Sequence, residues 1–113
     1  MIIAVNVSRT VKRGTPINDP SIQPNTAGHW KLDKGSGKGF LKVQNPKYKY
    51  ILAVRDGKVI GYYENLKNPT LNKRTGRVTF KIKPLPPSGH VIIDNYLSSK
   101  KVNLKYFTHK YIH

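Results

Sequence analysis

Cysteine is absent from the 113 residues, and acidic residues are scarce: five Asp and Glu stand against 21 Lys and Arg. Without cysteine there is no disulfide framework and no cysteine-ligated zinc. The absence fits a reducing compartment, and the cytoplasm is the expected location. So few carboxylates are too sparse for the acid cluster of a magnesium-dependent nuclease. With four histidines and no cysteine, the expectation is no metal and no other cofactor. There is no G-x-S-x-G elbow for a serine nucleophile. No apolar run approaches the ~18 residues of a membrane span, so no membrane partner is expected. The opening "MIIAVNVSRT" is apolar but lacks a basic leader and a cleavage pattern; it reads as a first strand and not as a signal peptide.

What is abundant is positive charge. The formal net charge is +16, and sixteen of the 21 basic residues are lysine. Such a surface attracts and steers polyanions. Lysine, asparagine, isoleucine and tyrosine are also what an AT-rich genome encodes. That bias leaves the shortage of acids unexplained, because Asp and Glu codons are not GC-rich.

The length suits one domain, residues 1–113, burying roughly 65% of the surface of its unfolded chain. Strand signals recur along it. Residues 2–7 are apolar and β-branched. Residues 48–54, "YKYILAV", and 58–64, "KVIGYYE", flank Asp56-Gly57, which supplies the positive φ of a tight hairpin turn. Residues 77–83 alternate, with Val78, Phe80 and Ile82 on one face and Arg77, Thr79, Lys81 and Lys83 on the other. Residues 90–94 and 102–107 complete about six short strands. Residues 14–28, with three prolines, form a loop holding one helical turn after Pro20 or Asn25, and "NYLSSK" supplies another turn. The expected class is mainly β with little helix, under about a fifth of residues, closed as a small barrel.

The stretch "DKGSGKGF" at 33–40 invites comparison with a phosphate-binding loop. A Walker A motif needs a hydroxyl after Gly-Lys, but Gly39 follows Lys38, and Leu32 stands where the first glycine belongs. The helix that should follow is interrupted at Pro46. What remains is a basic glycine-rich loop, either a flexible turn or a backbone contact for nucleic acid.

Tyrosines and phenylalanines interleave with lysines from Tyr48 to Tyr111, a pattern shared by base-stacking platforms and by half-buried barrel faces. Packing accounts better for most of them. Trp30 differs. It is the only tryptophan, between a proline-rich and a glycine-rich segment, flanked by His29 and Lys31, with no apolar periodicity running through it. Those neighbours favour a pocket wall over a core anchor.

Taken in order, "MIIAVNVSRT", "AGHWKL", "YKYILAVRDGKVIGYYENLK", "GRVTFKIKP" and "DNYLSSKKVNLKYF" resemble the small PUA-like domains, relatives of the EVE and ASCH groups, found alone or fused to restriction-type and helicase proteins of bacteria and phages. The resemblance spans nearly the whole chain. It implies a pseudo-β-barrel that binds RNA or DNA, often with a pocket for a single base beside the first strand and the tryptophan loop. Mapped here, that pocket takes Asn6, Ser8, Arg9 and Trp30. The expected phosphate contacts are Arg9, Arg13, Lys31, Lys38, Lys42, Arg55, Arg74 and Arg77. The expectation is therefore a nucleic-acid-binding protein and not an enzyme, with size and composition that fit a phage factor acting on host or phage nucleic acid. Two rivals stand beside it: a small metal-independent ribonuclease using His29 with a lysine or tyrosine, and an interaction protein that inhibits a host defence complex or nucleic-acid enzyme.

Overall fold

The computed structural model describes residues 1–32 and 38–113. Its centre is a pair of parallel strands, β1 (Ile2–Asn6) and β3 (Tyr50–Arg55), with Ile3 opposite Ile51 and Val5 opposite Ala53. Both faces of this pair are covered. That is why "IIAV" and "ILAV" are continuous apolar runs and not alternating ones. The crossover between them carries α1 (Ile22–Ala27), β2 (His29–Trp30) and α2 (Lys38–Val43). β3 turns through Asp56 (φ 52°) and Gly57 (φ 79°) into β4 (Lys58–Asn65), the hairpin that Asp-Gly announces.

Beyond β4 the chain makes β5 (Thr70–Leu71), β6 (Val78–Thr79) and β7 (Ile82–Pro84). The expected strand at 77–83 alternates as read: Val78, Phe80 and Ile82 are buried. It is nonetheless two strands in two sheets. The Phe80 N–H leaves the ladder to donate to the Ala27 carbonyl at 2.9 Å, and the chain changes sheets there. After α3 (Pro87–Lys100), β8 (His109–Ile112) returns to pair antiparallel with β1. The result is a five-stranded mixed sheet, β7-β4-β3-β1-β8, and a small sheet, β2-β6-β5.

The architecture is mainly β, as expected, but the sheet does not close into a barrel. β7 and β8 stay at opposite edges of the main sheet. β7 has three residues and ends at Pro84, which has no N–H to extend a ladder. Helix reaches 24% of the described residues, above the expected fifth, because residues 90–94 lie in α3 and not in a strand. The β-branched run "HVII" disguises a helical stripe. Pro87 sits in the first turn, where its missing N–H costs nothing. His90, Ile93 and Leu97 then face the sheet at spacings of three and four, while Val91 and Ile92 are exposed. Residues 102–107 are not a strand either. Asn103 Oδ1 accepts the Lys105 N–H at 2.9 Å, and Tyr106 has φ 58°, so the backbone turns where the side-chain alternation suggested extension. A short helix, α2, does follow the glycine-rich stretch; residues 33–37 of that stretch lie outside the described residues.

The sheet's two faces make two cores. Ile3, Val5, Ile51 and Tyr63 pack with Ile22, Val43, Val78 and Phe80 on the side of α1, α2 and the small sheet. Ile2, Ala4, Leu52, Val54 and Tyr62 pack with Ile93 and Leu97 of α3. Gly61 is required by the first core. A Cβ there would lie 2.7 Å from Tyr63 Cε2 and 3.1 Å from Ile22 Cγ2. Gly61→Ala is expected to cost about 1–3 kcal/mol by overpacking, read as a melting temperature lowered by about 4–12 °C. An unchanged melting curve would show that these neighbours yield freely.

A polar contact ties α3 to β4. The Tyr62 hydroxyl donates to Asp94 Oδ1 at 2.7 Å, and its ring stacks on His90 at 4.2 Å between centroids. Burial first, and then Asp94, pushes the Tyr62 phenol well above its ordinary range. The unfolded chain therefore loses this proton at lower pH than the fold does. The stabilisation is complete below about pH 10 and drains away as pH rises beyond it. Melting curves from about pH 9 to 11 are expected to fall less steeply for Tyr62→Phe than for the parent; parallel profiles would remove Tyr62 as the source.

Candidate functional site

The site forms where β1 leaves the sheet. The Asn6 backbone N–H donates to the Thr108 carbonyl at 2.9 Å, which fixes residues 107–108 beside the end of β1. The Asn6 side chain reinforces this. Nδ2–H donates to the Phe107 carbonyl at 3.0 Å, and Oδ1 accepts the Ser8 N–H at 2.9 Å. The next turn is held by the N–H groups of Thr10 and Val11 donating to the Val7 carbonyl, and it presents Ser8, Arg9 and Thr10. α1 contributes Asn25. β2 contributes His29 and Trp30, followed by Lys31, and Arg77 arrives just ahead of β6, which pairs with β2. With Phe107 and Thr108 these residues line a cleft of about 550 Å³, a size that suits a small ligand or a base with its sugar.

Trp30 is half-buried. One part of the ring packs against the core, and the indole Nε1–H donates to the Thr26 carbonyl at 2.7 Å. The ring is thus held in one orientation while it lines the cleft. It serves packing and pocket together, where the residues around it suggested the pocket alone. His29 is exposed, its Nδ1 sharing a 3.0 Å hydrogen bond with the Thr79 hydroxyl. Arg77 Nη1–H donates to the His29 carbonyl at 3.1 Å, which draws the guanidinium toward the cleft and leaves most of its donors available.

The electrostatics are one-sided. Among the described residues, Arg9, Lys31 and Arg77 line the cleft and no carboxylate does. Among the described residues the acids are engaged elsewhere: Asp94 with Tyr62, Glu64 with Lys83 at 3.3 Å, Asp56 with Arg13 at 3.8 Å, and Asp19 with Ser21. A concave surface carrying cations without counter-charges concentrates positive potential.

Of the residues singled out from sequence, Asn6, Ser8, Arg9, Trp30, Lys31 and Arg77 come together here. The other five do not line the cleft. Arg13 is exposed beside Asp56. Arg55 uses its guanidinium to brace the 12–15 loop, donating to the carbonyls of Lys12 at 2.6 Å and Thr15 at 3.1 Å. Arg74 lies in the exposed turn that Asn72 caps. Lys38 starts α2, and Lys42 Nζ sits 3.8 Å from the centre of the Tyr111 ring. Sequence reasoning missed Thr10, Asn25, Phe107 and Thr108. Phe107 and Thr108 arrive only through the β1–β8 pairing, which a strand placed at 102–107 conceals.

No group of three or more His, Cys, Asp or Glu among the described residues could hold a metal. His109 and His113 stand four apart, which would bring imidazoles together on a helix; on the extended β8 backbone that spacing is about 13 Å. No helix among the described residues is long and apolar enough to cross a membrane. No family model, curated protein or solved structure matches the chain.

Proposed function

We propose that the protein binds nucleic acid, with Arg9, Lys31 and Arg77 on phosphates and a base stacked on Trp30. The convergence of those three cations and an immobilised indole on one cleft, with no carboxylate among its described lining residues, carries this reading. Arginine and lysine neutralise phosphate, and an aromatic face accepts any base, so the set suits a phosphodiester chain better than a simple anion. Asn6 spends its carbonyl and one N–H on holding the cleft together, leaving one N–H for a ligand. The resemblance of the sequence to PUA-like domains points the same way. Binding is favoured over cleavage because, among the described residues, Lys31 is the one acid–base candidate of the ribonuclease reading that lines the cleft with His29; no tyrosine and no carboxylate does.

The test is a titration of labelled RNA and DNA oligonucleotides at low and moderate salt with EDTA present. Binding should weaken steeply with salt while the oligonucleotide stays intact. Cleavage in EDTA would favour the metal-independent ribonuclease. Salt-insensitive binding, or none, would overturn the proposal.

A further inference from the structure

We propose that Tyr106 is a second stacking platform, and that the ligand is a single-stranded segment holding one base on Trp30 and another on Tyr106. This rests on the nucleic-acid reading of the cleft and extends it to a class of ligand.

Tyr106 is 97% exposed, the most exposed large hydrophobic residue described. A tyrosine displayed in this way contributes almost nothing to the fold. Its backbone is also costly. With φ 58° it lies in the left-handed region, a conformation that suits glycine or asparagine and disfavours a bulky side chain. Such outliers persist where the surroundings over-determine them, and they gather at ligand sites. The surroundings here do so. Asn103 Oδ1 takes the Lys105 N–H at 2.9 Å, and Lys110 Nζ donates to the Asn103 carbonyl at 2.8 Å. The Lys105 stem lies over Gly57, where a Cβ would come within 3.1 Å of it. On the far side Asn6 holds the carbonyls of Phe107 and Thr108. The ring is therefore presented by a loop fixed at both ends, so little ordering entropy remains to be lost on binding.

Position supplies the second argument. Tyr106 lines a groove of about 400 Å³ that shares Asn6, Ser8 and Phe107 with the Trp30 cleft, so the two form one continuous surface. Lys105 lies in this groove, and the single carboxylate there, Asp56, faces Arg13. Two aromatic faces on a continuous groove with cations suit a strand whose bases are unstacked and free to lie on protein rings. A duplex keeps its bases stacked on each other and cannot use both faces without disruption.

The experiment uses labelled oligouridine and oligothymidine of about eight nucleotides, a duplex of the same length, and the parent protein with Tyr106→Gly, Tyr106→Phe and Trp30→Ala. The parent should bind a single strand more tightly than the duplex. Tyr106→Gly should weaken single-strand binding about 5- to 150-fold. Its melting temperature should equal or exceed the parent's, since glycine adopts positive φ without strain. Tyr106→Phe should restore binding. If Tyr106→Gly binds like the parent while Trp30→Ala does not, the Tyr106 platform is overturned and the cleft proposal stands. Tighter binding of the duplex overturns the single-strand assignment. A parent that binds none of these probes overturns both.

Discussion

Trp30→Ala is expected to weaken binding of a single-stranded oligonucleotide about 5- to 150-fold, the range of one base–aromatic stack. It is also expected to lower stability. The indole packs against the main core and gives its N–H to Thr26. Truncating a fully buried tryptophan costs about 3–5 kcal/mol, so a half-buried one should cost about 2–3 kcal/mol, or about 10 °C in melting temperature for a domain of this size. The two effects separate by measuring binding well below the variant's transition, where the fold is fully populated. Trp30→Phe keeps a stacking face and much of the packing while losing the hydrogen bond, so it should recover most of the affinity and only part of the stability. A Trp30→Ala protein that melts early yet binds like the parent would make Trp30 a packing residue only.

The mainly β class and several residues of the candidate cleft were legible in the sequence. Arg9 and Trp30 lie 21 positions apart, and Arg77 is 47 beyond Trp30, yet charge, the uniqueness of the tryptophan and the expected pocket beside the first strand pick out residues that the structure brings together. The Asp56-Gly57 hairpin was legible because positive φ at two successive residues is a local requirement with few chemical solutions. α3 was hidden because Val91, Ile92 and Ile93 have the side chains of a strand; only the sheet face beneath selects His90, Ile93 and Leu97 as the inward stripe. The barrel failed for a similar reason. Alternation at 77–83 reports which side chains are buried, not which strand they pair with, and the transfer between sheets at Phe80 depends on the distant Ala27 carbonyl. The brace made by Arg55 was not legible, because an arginine on a turn looks alike whether it faces solvent or grips the carbonyls of Lys12 and Thr15.

If the cleft is where phosphates bind, its three cations must carry a disproportionate share of the salt dependence. Each phosphate neutralised on a single strand contributes about 0.7 to the slope of log K against log salt. Replacing Arg9, Lys31 and Arg77 by glutamine removes three such contacts. The slope should become shallower by about 2, and at roughly 0.1 M salt the affinity should fall about a hundredfold. All three side chains are exposed, and among the described residues only Arg77 has a side-chain hydrogen bond to lose, at the His29 carbonyl. The melting temperature should therefore move by no more than about 4 °C. Net charge alone would lower affinity too, so the comparison is with a second triple variant, Lys73, Lys81 and Lys100 to glutamine, which removes the same charge from exposed positions outside the cleft. The deciding measurement is the salt titration of the two triple variants side by side: the cleft variant should lose about two units of slope and the other well under one. Equal losses from both would mean that charge spread over the whole surface holds the ligand, and that the Trp30 cleft is not the binding site.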